Sequence, residues 1–201
     1  MRVHTSKQRR LATAVFTGGL IIAVGTGCSL PSSSSVATSA KSTGSGSTGS
    51  AGSTAKAKAA AKPAAAKVGD TIALSGFEGE KADVTVVKVV DRPKGADEFT
   101  EPESGKRFYA VQFRIKDTGG KAYSDSPSNG AKVVDSAGQS YEADFSDTKA
   151  GASFPSDVNI ASGSSGLGYI TFQVPTGAKI TQIQFGLDSG MADQTGQWNV
   201  S

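Results

Sequence analysis

The groups able to do chemistry in this chain are few. It has one cysteine, Cys28, and one histidine, His4, in 201 residues. Both fall in the first thirty positions, so the rest of the chain has no thiol and no imidazole. Zinc, copper and iron sites draw on those side chains. A Ser-His-Asp or Cys-His arrangement needs them too. The carboxylates gather instead in residues 91–105, DRPKGADEFTEPESG. Extracellular calcium is held by carboxylates and backbone carbonyls, which makes Asp97, Glu98, Glu101 and Glu103 the calcium candidates. Their spacing is not that of an EF-hand, and a solvated charged loop is the simpler reading. Glycoside hydrolysis also uses two carboxylates, roughly 5–10 Å apart. Any acidic surface offers such pairs, so nothing here selects that chemistry. No metal or other cofactor is expected.

The position of Cys28 says more than its reactivity. Arg2, Lys7, Arg9 and Arg10 precede an uncharged run at 11–24, LATAVFTGGLIIAV, fourteen residues long. A transmembrane helix needs about twenty, whereas a secretory h-region needs ~7–15 behind a basic start. Gly25, Thr26 and Gly27 then offer small residues for a signal peptidase, and Cys28 follows at once. This resembles the lipobox of bacterial lipoproteins. The resemblance implies that the Cys28 thiol is diacylated, that residues 1–27 are removed, and that Cys28 becomes the lipidated N-terminus. The pattern prefers an aliphatic residue three positions before the cysteine; Gly25 stands there, with Val24 one step earlier. Simple secretion, with cleavage near Thr38, Ser39 and Ala40, is the alternative. The Arg9-Arg10-Leu11 stretch leaves Sec and twin-arginine export both open.

Residues 29–67 are Ser, Ala, Gly and Lys with almost no large apolar side chain. Such a segment cannot bury enough surface to offset ordering entropy and is expected to be a disordered tether. As a flexible coil it would span roughly 30–40 Å. Its lysines, Lys41, Lys56, Lys58, Lys62 and Lys67, could meet anionic lipid; a soluble spacer is the simpler reading. Charge divides at the same place. Residues 1–67 hold nine Lys/Arg and no acid, and residues 68–201 hold twelve Lys/Arg against eighteen Asp/Glu. A net acidic body gives no reason to expect nucleic acid as a partner.

Residues 68–201 carry short β-branched and aromatic runs between Gly, Pro, Asn and Asp, the pattern of an all-β domain. Strands are expected at 71–75, 83–91, 107–116, 167–174, 179–187 and 197–200, with a hairpin of 131–135 and 139–144 around Gly138. In 107–116, Tyr109, Val111, Phe113 and Ile115 share one face and Ala110, Gln112, Arg114 and Lys116 the other, so one face is dry and one wet. The alternation slips at Val86 and Val87, which predicts a bulge or burial on both faces. Trp198, Phe113, Phe172, Phe185 and Val111 are the expected core. Phe154 sits in the long polar stretch 147–166. It is a candidate partner contact if exposed and a loop anchor if packed. Strand number and length predict a two-sheet antiparallel sandwich with no substantial helix.

The body resembles a family of bacterial extracellular immunoglobulin-like domains of unknown function, often found on lipoproteins and akin to secreted immunoprotective antigens of mycobacteria. The residues that carry the resemblance are Val68-Gly69-Asp70, the valine strand 84–90 and Pro102 with Gly105-Lys106 ahead of RFYAVQFRIKD. Val134-Asp135 with Gly138 and Tyr141, and the late YITFQVPTGAKI, complete it. Asp117 stands where that family commonly has Asn, and either side chain can cap a turn. The resemblance implies a sandwich and an extracellular address and supplies no catalytic residues. The expectation is therefore a non-enzymatic lipoprotein on the extracytoplasmic face of the cell membrane. Its partners would be the bilayer, through Cys28, and an unidentified protein or wall component. A solute- or calcium-binding lipoprotein and a carboxylate-dependent envelope hydrolase are the alternatives.

Overall fold

The computed structural model describes residues 34–41 and 65–200. The export signal, Cys28, Lys56, Lys58 and Lys62 lie outside the described residues. The body is a β-sandwich built from β1 Ser35–Ala37, β2 Thr71–Ser75, β3 Lys81–Asp91, β4 Lys106–Asp117, β5 Tyr123–Asp125, β6 Ala131–Asp135, β7 Ser140–Asp144, β8 Val158–Ile160, β9 Ser165–Pro175, β10 Ile180–Gly186 and β11 Gln194–Asn199. A four-residue helix, α1 Pro127–Gly130, and a 3-10 turn at Asp188–Gly190 are the helical pieces among the described residues.

Nine strands form one hydrogen-bonded order, β1-β11-β10-β6-β7-β9-β4-β3-β2, and β5 pairs with β8 apart from it. The two layers are thus not separate sheets. β7 joins them, because Ser140, Tyr141 and Glu142 pair with β6 while Ala143 and Asp144 pair with β9. The layers face each other across the core. The Phe113 ring of β4 meets the Phe185 ring of β10 at 5.2 Å between centroids, tilted by 44°. Trp198, Phe113, Phe172, Phe185 and Val111 are all fully buried. The bulge falls where the valine run slips: β3 shifts register against β4 between Val86 and Lys88. Before it Ala82, Val84 and Val86 are buried, and after it Val89 packs on the core, so one extra residue reverses which parity points inward.

Two loops owe their shape to a carboxylate. Asp117 is buried, and its oxygens accept the N–H of Gly119 at 2.7 Å and of Tyr123 at 3.0 Å. In the β6–β7 turn, Asp135 accepts from the N–H groups of Ala137 and Gln139, each at 2.9 Å, and from the Tyr141 hydroxyl at 2.8 Å. The Tyr141 bond, followed by the Gln139 amide, holds the Asp135 carboxyl below its ordinary value. A carboxyl whose folded pKa is depressed contributes stability above its unfolded value, near 3.9, and loses it as pH falls through the folded one. Melting temperature should therefore be flat between pH 7 and about pH 5 and fall below about pH 4. Asp135→Asn should melt lower at pH 7 and show a shallower acid limb. Parallel wild-type and variant curves would count against this role.

The tether expectation is corrected at both of its described pieces. β1 pairs in parallel with β11, Ser35 opposite Gln194 and Ala37 opposite Gly196. The Ser35 N–H donates to Asp193 O, the Ala66 N–H to Thr38 O and the Lys41 N–H to Thr71 O, each at 2.6 Å. The Lys41 ammonium pairs with Asp83. Val36 is 57% exposed, and the side chains buried here, Ala66 and in part Ala37, are small, so the backbone bonds carry much of the docking. An edge strand offers a row of open N–H and C=O groups to any chain that can lie beside it. A composition argument weighs only side chains and misses that. Amide exchange checks the docking: Ser35 and Lys41 should be protected but exchange well before Phe113 in the sheet centre. Exchange at random-coil rates would show the segment undocked.

Candidate functional site

The acidic segment does not close around an ion. Asp97 Oδ1 accepts from the Phe99 N–H at 2.9 Å and from the Thr100 N–H and hydroxyl, each at 2.8 Å. The Thr100 hydroxyl bond, then the Phe99 amide, lowers the Asp97 pKa. Asp97 is a turn cap. Glu98 and Glu101 are exposed, and Glu103 pairs with Lys106 at 2.8 Å. Among the described residues no three His, Cys, Asp or Glu side chains stand close enough to hold a metal.

The wet face expected for β4 is dry along its first half. Phe108 and Ala110 are buried there, beside Tyr169 and Thr171 of β9. These side chains alternate with the core set and lie outside the main cluster. The connections 92–105 and 145–157 fold over this outer face and hold each other. The Ala96 N–H donates to Asp147 O at 3.0 Å, and the Lys149 N–H to Lys94 O at 2.8 Å. The second connection is also tied to β9, through Phe154 N–H to Tyr169 O at 3.0 Å and Tyr169 N–H to Ala152 O at 2.9 Å.

Phe154, the candidate contact, is only 9% exposed. It lies flat against Gly168, where an added Cβ would come within 2.7 Å of its ring. It is the loop anchor. The exposed aromatics of the two connections are Phe99, at 86%, and Phe145, at 79%; Phe145 is the one beside Phe154. It follows the last residue of β7, and nothing in strand periodicity marks it. A large aromatic just past a strand end in a polar loop was its only signal.

Between the end of β7, the middle of β9 and the 145–156 connection lies a cavity of about 150 Å³. Phe145 and Phe154 line it with Asp144, Asp147, Tyr169 and Thr171. Tyr169 is 3% exposed and Thr171 2%, and neither hydroxyl has a partner among the described residues. The Thr148 hydroxyl is also buried and without a partner among the described residues. Native buried polar groups are nearly always hydrogen-bonded, and each one left unpaired costs about 1–3 kcal/mol. Asp144 accepts from the Ser146 N–H at 2.9 Å and from Gln173 Nε2 at 2.8 Å. Burial pushes its carboxyl up; the Ser146 and Gln173 bonds outweigh that and leave it below the ordinary value. The cavity therefore presents a charged acceptor and several hydroxyls.

A family model for a domain of unknown function, DUF4352, matches residues 67–195. The chain belongs to the DUF4352 family. Against the curated proteins this DUF4352 chain has no match. Among solved structures it is similar to ycdA of Bacillus subtilis, a candidate lipoprotein, with a TM-score of 0.50 and 12% identity over 68% of this chain and 39% of that one. It is also similar to the secreted protein MPT63 of Mycobacterium tuberculosis, with a TM-score of 0.47 and 20% identity over 70% of this chain and 99% of that one. A third similar structure is yjhA of Bacillus subtilis, at TM-score 0.46 and 14% identity over 68% and 99%. At these identities the likeness concerns the fold. The DUF4352 match begins at Lys67, which bridges to Asn199.

Proposed function

We propose that the chain is a lipoprotein anchored on the extracytoplasmic face of the membrane, which presents its DUF4352 sandwich as a binding module. The observation that carries the anchor is the place of the only cysteine, three small residues after an apolar run too short to span a bilayer and directly before a Ser-rich arm. Diacylation of Cys28 would add the apolar surface that membrane attachment requires. The binding half of the reading is supported by the polar cavity between β7, β9 and the 145–157 connection. With β1 docked, the chain between Cys28 and Ser35 can reach roughly 25 Å when fully extended. That is shorter than the span of an undocked arm.

Labelling with a fatty-acid analogue in cells tests the anchor. The wild-type chain should carry the label and sediment with membranes. Cys28→Ala should lose the label completely and leave the washed membrane fraction. If Cys28→Ala stays as firmly membrane-bound as the wild type, the anchor is not at Cys28 and the reading fails.

A further inference from the structure

We propose that the end of the sandwich carrying Phe77 and Met191 rests on the lipid surface and turns the opposite end outward. The inference rests on the anchor half of the reading above and adds which end of the domain meets the bilayer. The docking of β1 carries it, because it fixes where the chain from Cys28 joins the body. The Ser35 N–H is held by Asp193 O, beside the start of β11. Further bonds gather at this near end. The Ser75 N–H, at the end of β2, donates to Gln194 Oε1 at 3.0 Å. The Phe77 N–H donates to Asp188 Oδ2 at 2.7 Å, and the Met191 N–H to Asp188 O at 3.0 Å. The β2–β3 and β10–β11 turns are thus tied together next to the point where the anchor chain arrives. The far end holds Lys106, opposite Pro175, and Lys179, whose carbonyl accepts from the Ser136 N–H at 2.8 Å.

The near end is apolar for a pair of turns. Phe77 is 57% exposed and Met191 69%, and Val36 follows one residue into β1. They are three of the six large apolar side chains exposed among the described residues. Single exposed apolar residues are ordinary, whereas a group of them marks an interaction surface. Reach decides what covers it. The chain from Cys28 to Ser35 spans at most about 25 Å. β4 runs for 12 residues between the two ends, roughly 40 Å. A lipid on Cys28 therefore keeps the near end at the bilayer and leaves the far end out of its reach. Charge does not drive the contact. Glu78, Glu80, Asp188 and Asp193 stand beside Lys81 and Lys121 at the near end, so anionic lipid gains nothing there. One aromatic ring and one thioether chain suit a shallow seat among the headgroups.

Footprinting of the full chain tests this. Cys28 is the only thiol, so it can be coupled to a maleimide phospholipid in phosphatidylcholine vesicles, which imposes the anchor whether or not cells acylate it. The reference is the same chain coupled to a water-soluble maleimide. A membrane-impermeant acylating reagent then reads each lysine by mass spectrometry. On vesicles Lys81 and Lys121 should react about threefold more slowly than in the reference, and Lys106 and Lys179 at an unchanged rate. Phe77→Ser combined with Met191→Ser alters exposed side chains alone and should leave Tm almost unchanged. The double variant should lose most of the protection at Lys81 and Lys121. Adding phosphatidylglycerol should not strengthen the wild-type protection. The proposal is overturned if Lys106 and Lys179 are the protected pair or if neither pair is protected. It is equally overturned if the double variant stays as protected as the wild type, since the tether alone would then hold the domain near the lipid. Protection of Lys81 and Lys121 in the water-soluble reference, growing with concentration, would overturn it in favour of a second copy of the chain. Because the anchor is imposed chemically, each of these results is independent of where Cys28→Ala fractionates.

Discussion

Trp198→Ala is expected to destabilise the sandwich by about 3–5 kcal/mol. Domains of this kind have roughly 5–15 kcal/mol to lose, so the variant should melt far below the wild type or not fold. Trp198 is the only tryptophan and is fully buried. Its indole N–H donates to the Asp70 carbonyl at 2.9 Å, closing β11 onto the chain just before β2. The ring fills the space left by Gly196, where an added Cβ would stand 2.8 Å from it and 3.3 Å from Leu74. Truncation removes the largest side chain of the core and opens a void bounded by both layers. Circular dichroism melts measure the loss. Gly196→Ala alone should also be destabilising, by overpacking. Combined with Trp198→Ala it should cost less than the sum, because its clash has gone. Additive effects would show that the two sites do not share one space.

Arg107→Met should cost about 2–3 kcal/mol, although it keeps a side chain of similar length. Arg107 is buried at the start of β4. Its Nε donates to Asp91 at 2.7 Å, one terminal nitrogen to the Pro175 carbonyl, and the other to Ala178 O at 2.9 Å. One planar fork thus ties the end of β3 to the turn between β9 and β10, which the compact ammonium of lysine cannot imitate. Asp91 is half exposed and rehydrates when the arginine is lost, which keeps the cost below the sum of three charged bonds. Urea unfolding measures the effect as a lower midpoint at unchanged slope. A midpoint equal to the wild type would mean that water replaces all three bonds.

These two residues differ in how readily they show in the sequence. Trp198 alternates with Val200 in a short C-terminal strand, and its aromatic bulk marks it as core. Arg107 reads as an ordinary polar strand residue, because its partners lie far along the chain at 91, 175 and 178. Phe154 shows the same limit from the other side. The sequence leaves it between contact and anchor, and only Gly168 beneath it decides for anchor. Phe145 carries no periodic signal at all. The four carboxylates of 97–103 look like a cluster when read along the chain, yet Asp97 caps its own turn and Glu103 turns to Lys106.

The alternation of side chains along each strand determined the all-β class, the slip at Val86 and Val87 and the five core residues; the structure decided that the slip is a bulge. A period of two follows from the backbone itself and needs no knowledge of neighbours. What covers each face was decided by tertiary structure. Tyr169 and Thr171 alternate outward as a wet face would, and they are buried because the connections 92–105 and 145–157 pair with each other and with β9. β1 belongs to the sheet because β11 leaves an edge open to backbone hydrogen bonds. Both results depend on chain segments far apart in sequence meeting through main-chain groups that every residue carries. A reading of side-chain types has no purchase on them, and that is why the candidate site emerged only when the chain was folded.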